Sequence, residues 1–256
     1  TTAYELPPEA DAPQFFHYYA STSDTSAFSA QDNFRNNGGV AQTRNLALAK
    51  AVGEAIERYS SALYDKEDMP FTTQREAQFH SVNLGDFRFY EKEQYLDPSF
   101  LFCEPTKDTM IRWTPTENLV SNEVIYVPGA AVWMPYYYDL GAGEVPIMQP
   151  ISTGLACHCS YEESILGGLL EVIERDSFSM TWQGRLSWPL IRTESLDAEN
   201  YNLLTKIEDT GYSVDLVNAS TDVGVPVILT IWRAKNSPNP PIVVGASSSL
   251  DPTEAV

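Results

Sequence analysis

One short pattern occurs twice in this chain, and each copy places two glutamates and an arginine on a predicted helix. The copies are EAIERYS at residues 54–60 and EVIERDS at residues 171–177, which share Glu, Ile, Glu, Arg and Ser at matching positions. In both segments apolar residues recur every three or four positions, the spacing of an amphipathic helix. The repeat therefore favours a fold that contains two similar helices, each with a stripe of charged side chains.

The flanking residues predict where these two helices begin and end. The first is expected over about residues 43–65, and the second over about residues 161–182. Ser160 precedes the second helix as its N-cap, with Glu163 at the matching position of a capping box. The apolar arc of each helix is predicted to face the core. These arcs comprise Leu48, Ala49, Val52, Ala55, Ile56 and Tyr59 in the first helix, and Ile165, Leu166, Leu169, Leu170, Val172 and Ile173 in the second.

The charged stripes have two explanations. In the first, each glutamate that opens the pattern pairs with the arginine four residues later on a solvated face, worth about 0.3–0.5 kcal/mol. In the second, the stripes face one another and gather five carboxylates. Crowded carboxylates repel as water is withdrawn, and oxygen ligands without histidine suit Mg²⁺, which shares its shell with water and substrate phosphates. The candidate ligands are Glu54, Glu57, Glu163, Glu171 and Glu174, with Lys50, Arg58 and Arg175 nearby.

Phosphate-binding motifs of the common kinds are absent from the sequence. The chain contains neither GxxxxGK[ST] nor a GxGxxG that follows a strand. A phosphate site in this protein is therefore expected to be of another kind, built from helix faces.

The remaining sequence predicts a mixed α/β fold of the α+β type, in which largely antiparallel sheets pack against helices. Residues 1–33 are interpreted as an irregular lead-in, and residues 34–256 as one domain. The segment LDAENYNLLTKIEDTGY predicts a further helix that is closed by Gly211. Strands are predicted at IRWTPTENL, VIYVPGAAVWMPYYY, VPIMQP, YSVDLVNAS, VPVILTIWRA and IVVGASSS.

The last residues, LDPTEAV, predict the beginning of another helix. Asp251 is placed as the cap and Pro252 at the first helical position. A helix that begins and does not continue leads to the expectation that this chain is a fragment of a longer protein.

Charge and cysteine content limit the possible partners and location. With 16 basic and 35 acidic residues the net charge is −19, which disfavours a nucleic-acid partner. No apolar run has the length of a membrane span, and the N-terminus lacks the pattern of a signal peptide. Three cysteines do not make a disulfide framework, so a reducing, cytoplasmic location is expected. A zinc site at Cys157-His158-Cys159 is the weaker alternative to a simple loop, because no fourth ligand is evident.

Three segments, in the same order, resemble the motifs of the YcaO-domain family. GGVAQTRNLALAKAVGEAIERYSSALYD resembles the first helical motif, STGLACHCSYEESILGGLLEVIERDSF the second, and GASSSLDPTEAV the start of the third. YEKEQYLDPSFLFCEPTKDTMIRWTPTENL and VPGAAVWMPYYY are similar to the intervening segment of the azoline-forming branch. The resemblance covers about residues 34–256 and implies that the C-terminal part of the domain is missing.

The resemblance implies an enzyme that binds ATP without a P-loop, through Mg²⁺ ions held by glutamates. The matching positions are the same five glutamates, and Arg58 and Arg175 follow as structural or phosphate-side partners. A serine and an asparagine that contact the nucleotide in the best-studied branch are replaced here by Ala156 and Cys159. Val40 replaces a basic residue that is frequent in the early part of the first motif.

The chemistry implied by the resemblance is cyclodehydration of a ribosomally made peptide. A Cys, Ser or Thr side chain attacks the preceding carbonyl, ATP phosphorylates the resulting oxyanion, and phosphate leaves to give a thiazoline or oxazoline. Because the nucleophile belongs to the substrate, no catalytic residue of the protein is assigned. The implied partners are the precursor peptide and a leader-binding protein. An incomplete domain is further expected to form a homo-oligomer that covers its exposed apolar surface.

Two other functions stay open at this point. One is thioamide formation within the same family, in which sulfide attacks the activated amide in place of a side chain. The other is a catalytically silent scaffold that docks a peptide or a partner protein.

Overall fold

The computed structural model describes residues 2–8, 13–29, 31–235 and 240–256. Within these residues the chain has a mixed α+β fold of nine strands in three sheets and four α-helices, which confirms the predicted class. The helices are α1 (Arg44–Ser60), α2 (Lys92–Tyr95), α3 (Tyr161–Gly184) and α4 (Ala198–Glu208). The strands are β1 (Thr2–Leu6), β2 (Phe16–Ser21), β3 (Asn36–Ala41), β4 (Phe71–Thr72), β5 (Ile111–Glu117), β6 (Val124–Pro128), β7 (Tyr212–Asn218), β8 (Val227–Ala234) and β9 (Ile242–Ser248).

The chain divides into two compact units, which are described separately. Unit 1 comprises Thr1–Thr2, Ala20–Asn37 and Ala55–Ser152. Unit 2 comprises Ala3–Tyr19, Gly38–Glu54 and Thr153–Val256. Each unit draws on three separate segments of the chain, so neither corresponds to a continuous stretch of sequence.

Unit 1 contains the sheet β4–β5–β6, in which neighbouring strands are antiparallel. Strand β5 confirms the strand predicted at IRWTPTENL, whereas β6 covers only VIYVP of the segment VIYVPGAAVWMPYYY and residues 129–138 form no strand. Fully buried Trp113 packs beside Ile111 and Ile147 in the core. The strand predicted at VPIMQP is wrong, because residues 145–150 form no strand. Pro146 and Pro150 have no N–H to donate to a ladder, so this segment buries Ile147 without joining a sheet.

Unit 2 contains the antiparallel sheet β7–β8–β9, which confirms all three strands predicted after α4. Helix α4 packs against β7 and places Leu204 in a core cluster with Leu216 and Ile228. Gly211 has a φ of 93°, the left-handed conformation expected where the helix is closed. At Asp251 the structure has a turn with the contacts expected of a helix start: the Asp251 side chain accepts from the N–H of Thr253, and its carbonyl oxygen accepts from the N–H of Ala255.

The N-terminal residues differ from the sequence-based expectation. The interpretation of residues 1–33 as irregular is wrong, because β1 and β2 lie there and form a sheet of order β1–β2–β3. Short strands such as these gain their hydrogen bonds from a partner that comes later in the chain, so local sequence pattern does not reveal them. Across the part of the chain that the structure describes, no helix has the length and apolar content needed to cross a membrane.

Helix α1 buries a different face from the one that its apolar periodicity predicts. Ala47, Ala51 and Ala55 are fully buried, whereas Leu48 and Ile56 of the predicted arc are exposed. The helix also ends five residues earlier than expected, at Ser60.

The reason for this choice of face is the close approach of strand β3. A Cβ atom added to Gly39 would lie 2.2 Å from the carbonyl oxygen of Ala47 and 2.4 Å from the nitrogen of Ala51. Only small residues permit backbones to come this close, so the alanine stripe faces inward and the larger leucine and isoleucine do not.

Helix α3 confirms the predicted start at Tyr161 and runs to Gly184, but half of its predicted core-facing arc is exposed. Leu166, Leu169 and Val172 are 41%, 48% and 47% exposed. The buried positions of the helix are Gly168 and Ser177. The other residues of the predicted arc, Ile165, Leu170 and Ile173, are half-buried, so the arc is only partly covered.

Polar and close-packed contacts decide the orientation of α3. Ser177 Oγ donates a hydrogen bond to the carbonyl oxygen of Ala219 at 2.5 Å, and Ser248 Oγ donates to the carbonyl oxygen of Leu170 at 2.7 Å. Buried hydroxyl groups need such partners, and satisfying them sets which side of the helix meets the sheet.

Candidate functional site

The first glutamate of the second repeat is held at both of its oxygens. The N–H of Gly154 donates to Glu171 Oε2 at 2.9 Å, and Arg175 Nη2 lies 3.3 Å from Glu171 Oε1. Gly154 lies in the loop before α3 and has a φ of 91°, a conformation that glycine adopts without strain. Glu171 is consequently half-buried with a defined orientation.

The next glutamate on the same face, Glu174, is joined to Glu171 through one arginine. Arg175 Nε lies 3.2 Å from Glu174 Oε1, so a single guanidinium contacts both carboxylates. The Glu174 side chain is only 18% exposed, and burial raises its pKa. Arg175 opposes this rise and the nearby Glu171 charge adds to it. The structure thus brings three of the predicted site residues together.

Glu163 has a different set of contacts, at the beginning of α3. Ser160 is the N-cap as predicted: its Oγ accepts from the N–H of Glu163 at 3.3 Å and donates to Glu163 Oε2 at 2.9 Å. This bond from the Ser160 hydroxyl lowers the pKa of Glu163, and the charge of His158, whose Nδ1 is 2.7 Å away, lowers it further. Glu163 therefore stabilises the helix start and is exposed.

The first repeat places its leading glutamate in the same way as the second. The N–H of Gly38 donates to Glu54 Oε2 at 2.9 Å, from the segment that precedes α1. Three residues later, Glu57 Oε1 lies 3.7 Å from Arg58 Nε, and both side chains are mostly buried. Glu54 belongs to unit 2, whereas Glu57 and Arg58 belong to unit 1.

The donor set suits Mg²⁺ more than a metal that needs a closed protein cage. Among the described residues, no group of three or more His, Cys, Asp or Glu side chains is close enough to hold a metal ion. A Mg²⁺ ion that shares phosphate oxygens and water uses one or two carboxylates, and Glu171 with Glu174 supplies two that are partly withdrawn from water. These residues fit such an ion. Cys103, Cys157 and Cys159 form no disulfide.

Sequence reasoning missed the two glycines that donate to the glutamates. Gly38 follows Asn37 in a glycine pair, and Gly154 follows Thr153 in the loop before the second helix. Glycine shortly before a helix that carries a buried glutamate was the available signal, but it does not specify which amide points at which carboxylate.

Comparison with known proteins assigns the chain to a family. The YcaO family profile, described as a cyclodehydratase that binds ATP and Mg²⁺, matches residues 38–256. An uncharacterized protein from Methanothermobacter thermautotrophicus is 31% identical over 224 residues, which is 85% of this chain and 53% of that relative. The chain therefore spans about half the length of this relative.

Solved structures share the fold at low sequence identity. A heterocyclase in complex with substrate and cofactor has a TM-score of 0.84 and 21% identity, and the match covers 100% of this chain and 36% of the heterocyclase. The YcaO protein of Methanopyrus kandleri, bound with AMPPCP and Mg²⁺, has a TM-score of 0.70 and 21% identity over 100% of this chain and 58% of its own.

Proposed function

The chain belongs to the YcaO family, and on that premise we propose that it is part of an ATP- and Mg²⁺-dependent enzyme that activates backbone amides in a ribosomally made peptide. In this proposal the products are azoline rings formed from Cys, Ser or Thr residues of the peptide. The precursor peptide is the substrate, and a leader-binding protein is the expected partner.

The observation that carries the proposal is the cluster of charged side chains formed by Glu171, Arg175 and Glu174. Two half-buried carboxylates share one exposed guanidinium on α3, and burial raises the pKa of Glu174. An ordinary solvated face of ion pairs would leave these carboxylates exposed, and Glu174 is not. Leu166 and Leu169 of this helix are exposed while Glu171 and Glu174 are half-buried, which supports a binding role for these two glutamates.

Each residue has a proposed task in the site. Glu171 and Glu174 would hold Mg²⁺, and Glu54 of the first repeat would do the same in unit 2. Arg175 would place positive charge beside the phosphates. Its guanidinium already neutralises part of the charge of the two carboxylates with which it pairs. Glu163 is proposed as a further ligand from the helix start. Glu57 and Arg58 stay predictions from the family resemblance.

The nucleotide and the substrate supply the reactive groups. When bound, ATP would supply the phosphoryl group that turns the amide oxygen into a good leaving group, with Mg²⁺ offsetting the developing charge. The protein's residues bind and orient, because the attacking thiol or hydroxyl belongs to the peptide. These roles agree with a site that is made of carboxylates and arginine and to which no protein nucleophile is assigned.

The test uses a Cys-rich precursor peptide whose amide oxygens carry ¹⁸O, incubated with the protein, its partner, ATP and Mg²⁺. Cyclodehydration predicts that each ring formed removes the mass of one water from the peptide and that the label appears in inorganic phosphate. Thioamidation also moves the label to phosphate, but the peptide gains the mass difference between sulfur and oxygen. A scaffold without activity releases no phosphate and leaves the peptide unchanged, and that result would refute the proposal.

A further inference from the structure

The two repeats share a contact that neither composition nor periodicity indicates. In each, a glycine N–H from the segment before the helix donates to Oε2 of the leading glutamate at 2.9 Å, from Gly38 to Glu54 and from Gly154 to Glu171. We call these two bonds the glycine anchors. Because the glutamates occupy matching positions of the repeat, the same bond recurs at the same place in both copies.

A glycine anchor forms only where the loop or strand that carries it packs against the helix more closely than an intervening side chain would allow. In the second repeat, a Cβ added to Gly168 would lie 2.6 Å from the carbonyl oxygen of Gly154. In the first repeat, a Cβ added to Gly39 would lie 2.2 Å from a carbonyl oxygen of α1. Real Cβ atoms do not approach backbone this closely, so alanine at Gly39 or Gly168 forces the backbone to move.

The anchor occupies one oxygen of the glutamate and thereby fixes the direction of the other. In Glu171, Oε2 is occupied by the N–H of Gly154, while Oε1 faces Arg175 at 3.3 Å. A main-chain donor has no rotamers of its own, so it holds the carboxylate at little entropic cost. Carboxylates that bind metals are generally oriented by hydrogen bonds of this kind, and losing such a bond costs roughly 10–100-fold in metal affinity or activity.

We infer that the N–H groups of Gly38 and Gly154 are positioning groups that orient the leading glutamate of each repeat for Mg²⁺ binding. Gly39 and Gly168 serve them by keeping the donor segment close to its helix. This inference rests on the proposed function, because it assigns the anchored glutamates to Mg²⁺. It adds four glycines to the seven charged residues predicted for the site.

The neighbouring glycines of α3 provide a matched pair of variants. A Cβ on Gly167 would meet only Ala156 Cβ at 3.6 Å, an ordinary contact, whereas a Cβ on Gly168 meets backbone. Gly168→Ala should therefore shift the loop that carries Gly154, and Gly167→Ala should not. Circular dichroism and thermal melting of both variants establish that they are folded.

The measurement is calorimetric binding of a nonhydrolysable ATP analogue at increasing Mg²⁺ concentration. We expect Gly168→Ala to raise the half-saturating Mg²⁺ concentration by about 10–100-fold, with Gly167→Ala within about twofold of the wild type. The affinity for the analogue without Mg²⁺ should be equal in both variants. A general loss of structure would instead weaken this binding in Gly168→Ala. A folded Gly168→Ala protein with the wild-type Mg²⁺ requirement overturns the inference. Wild-type protein that binds no analogue with Mg²⁺ refutes the proposed function instead.

A second measurement decides the inference if Gly168→Ala does not fold. In protein labelled with ¹⁵N-glycine, the Gly154 amide proton should resonate downfield and move upfield in Glu171→Gln, because a neutral amide oxygen is a weaker acceptor than a carboxylate. Glu162→Gln, on the exposed first turn of α3, is the control that should leave this resonance unchanged. Addition of Mg²⁺ with the analogue should also shift the Gly154 resonance of the wild type. A resonance that responds to neither change refutes the positioning role.

Discussion

The two repeats form the same contact, but the glycine that permits the close packing lies on the strand in one repeat and on the helix in the other. In the first, the glycine that permits close approach is Gly39 on the strand side, and the helix contributes Ala47 and Ala51. In the second, the glycine is Gly168 on the helix itself, and it faces the carbonyl oxygen of Gly154 in the loop. In both, the outcome is a backbone N–H at 2.9 Å from a glutamate oxygen.

In both repeats the arginine pairs with the glutamate that precedes it in the sequence. Arg175 contacts both Glu171 and Glu174, at 3.3 and 3.2 Å. Arg58 lies 3.7 Å from the adjacent Glu57, a pair between sequence neighbours. The sequence repeat thus preserves both the placement of the leading glutamate and the ion pair between the second glutamate and its neighbouring arginine.

The largest expected effect tests the close approach in the first repeat. Gly39→Ala should lower the free energy of unfolding by about 3 kcal/mol or prevent folding, because its Cβ would overlap the backbone of α1. Gly53→Ala, within α1 itself, should instead raise stability by about 0.5–1 kcal/mol, since no atom lies within 4 Å of its Cβ. Urea denaturation of the two variants gives both values, and equal stabilities would contradict the packing described for β3 and α1.

The next effect asks whether the repeats are functionally equivalent. Glu54→Gln and Glu171→Gln should each lower ATP turnover by about 100-fold, because both remove the charge of an anchored ligand and keep the side-chain volume. Glu162→Gln serves as the exposed control on α3. Steady-state phosphate release with peptide present measures the effect. A large loss in only one of the two variants would show that the repeats have separate roles.

A smaller effect compares the serines that end the repeat pattern. Ser177 is fully buried and donates to the carbonyl oxygen of Ala219, whereas Ser60 at the matching position is exposed. Ser177→Ala should therefore cost about 1–2 kcal/mol of unfolding free energy, since the carbonyl oxygen loses a buried donor. Ser60→Ala should stay within about 0.5 kcal/mol of the wild type. Chemical denaturation resolves this difference, and similar values for both would remove the distinction between the serines.

The smallest effect concerns pH and two glutamates of α3, Glu174 and Glu163. Burial raises the pKa of Glu174, so ionisation of this side chain destabilises the fold. The destabilisation appears as pH rises above about 4.5, the ordinary pKa of a glutamate. The Ser160 hydroxyl lowers the pKa of Glu163, whose ionised form favours the fold and is lost as pH falls below that value. In Mg²⁺-free buffer at pH 7, Glu174→Gln should melt slightly above and Glu163→Gln slightly below the wild type. Both differences should vanish at low pH, and melting curves that keep them would contradict these assignments.

Local sequence signals predicted the elements whose ends are marked by local chemistry. Ser160 caps α3 because its hydroxyl bonds the N–H of Glu163, an interaction that spans three residues. Gly211 closes the segment after α4 because its left-handed φ costs glycine little. The C-terminal strands were predictable from runs of β-branched and aromatic residues, and the family from motifs whose order and spacing match.

Which face of a helix is buried depended on tertiary structure. Apolar periodicity predicted that Leu48 and Leu169 point inward, yet both are exposed. Close backbone approach favours the alanines of α1, and buried hydroxyl groups that need partners orient α3 toward its sheet. Neither requirement is visible until the partner strand is present.

The sequence by itself determined that two similar helices each carry glutamates and an arginine, since this follows from residue identity and a period of 3.6 residues. Tertiary structure alone decided that Glu171 and Glu174 are half-buried and that Gly38 and Gly154 donate to the leading glutamates. The physical reason is distance along the chain. Each glycine anchor connects residues more than four turns of helix apart in sequence, and only the folded backbone brings that amide within hydrogen-bonding distance of the carboxylate.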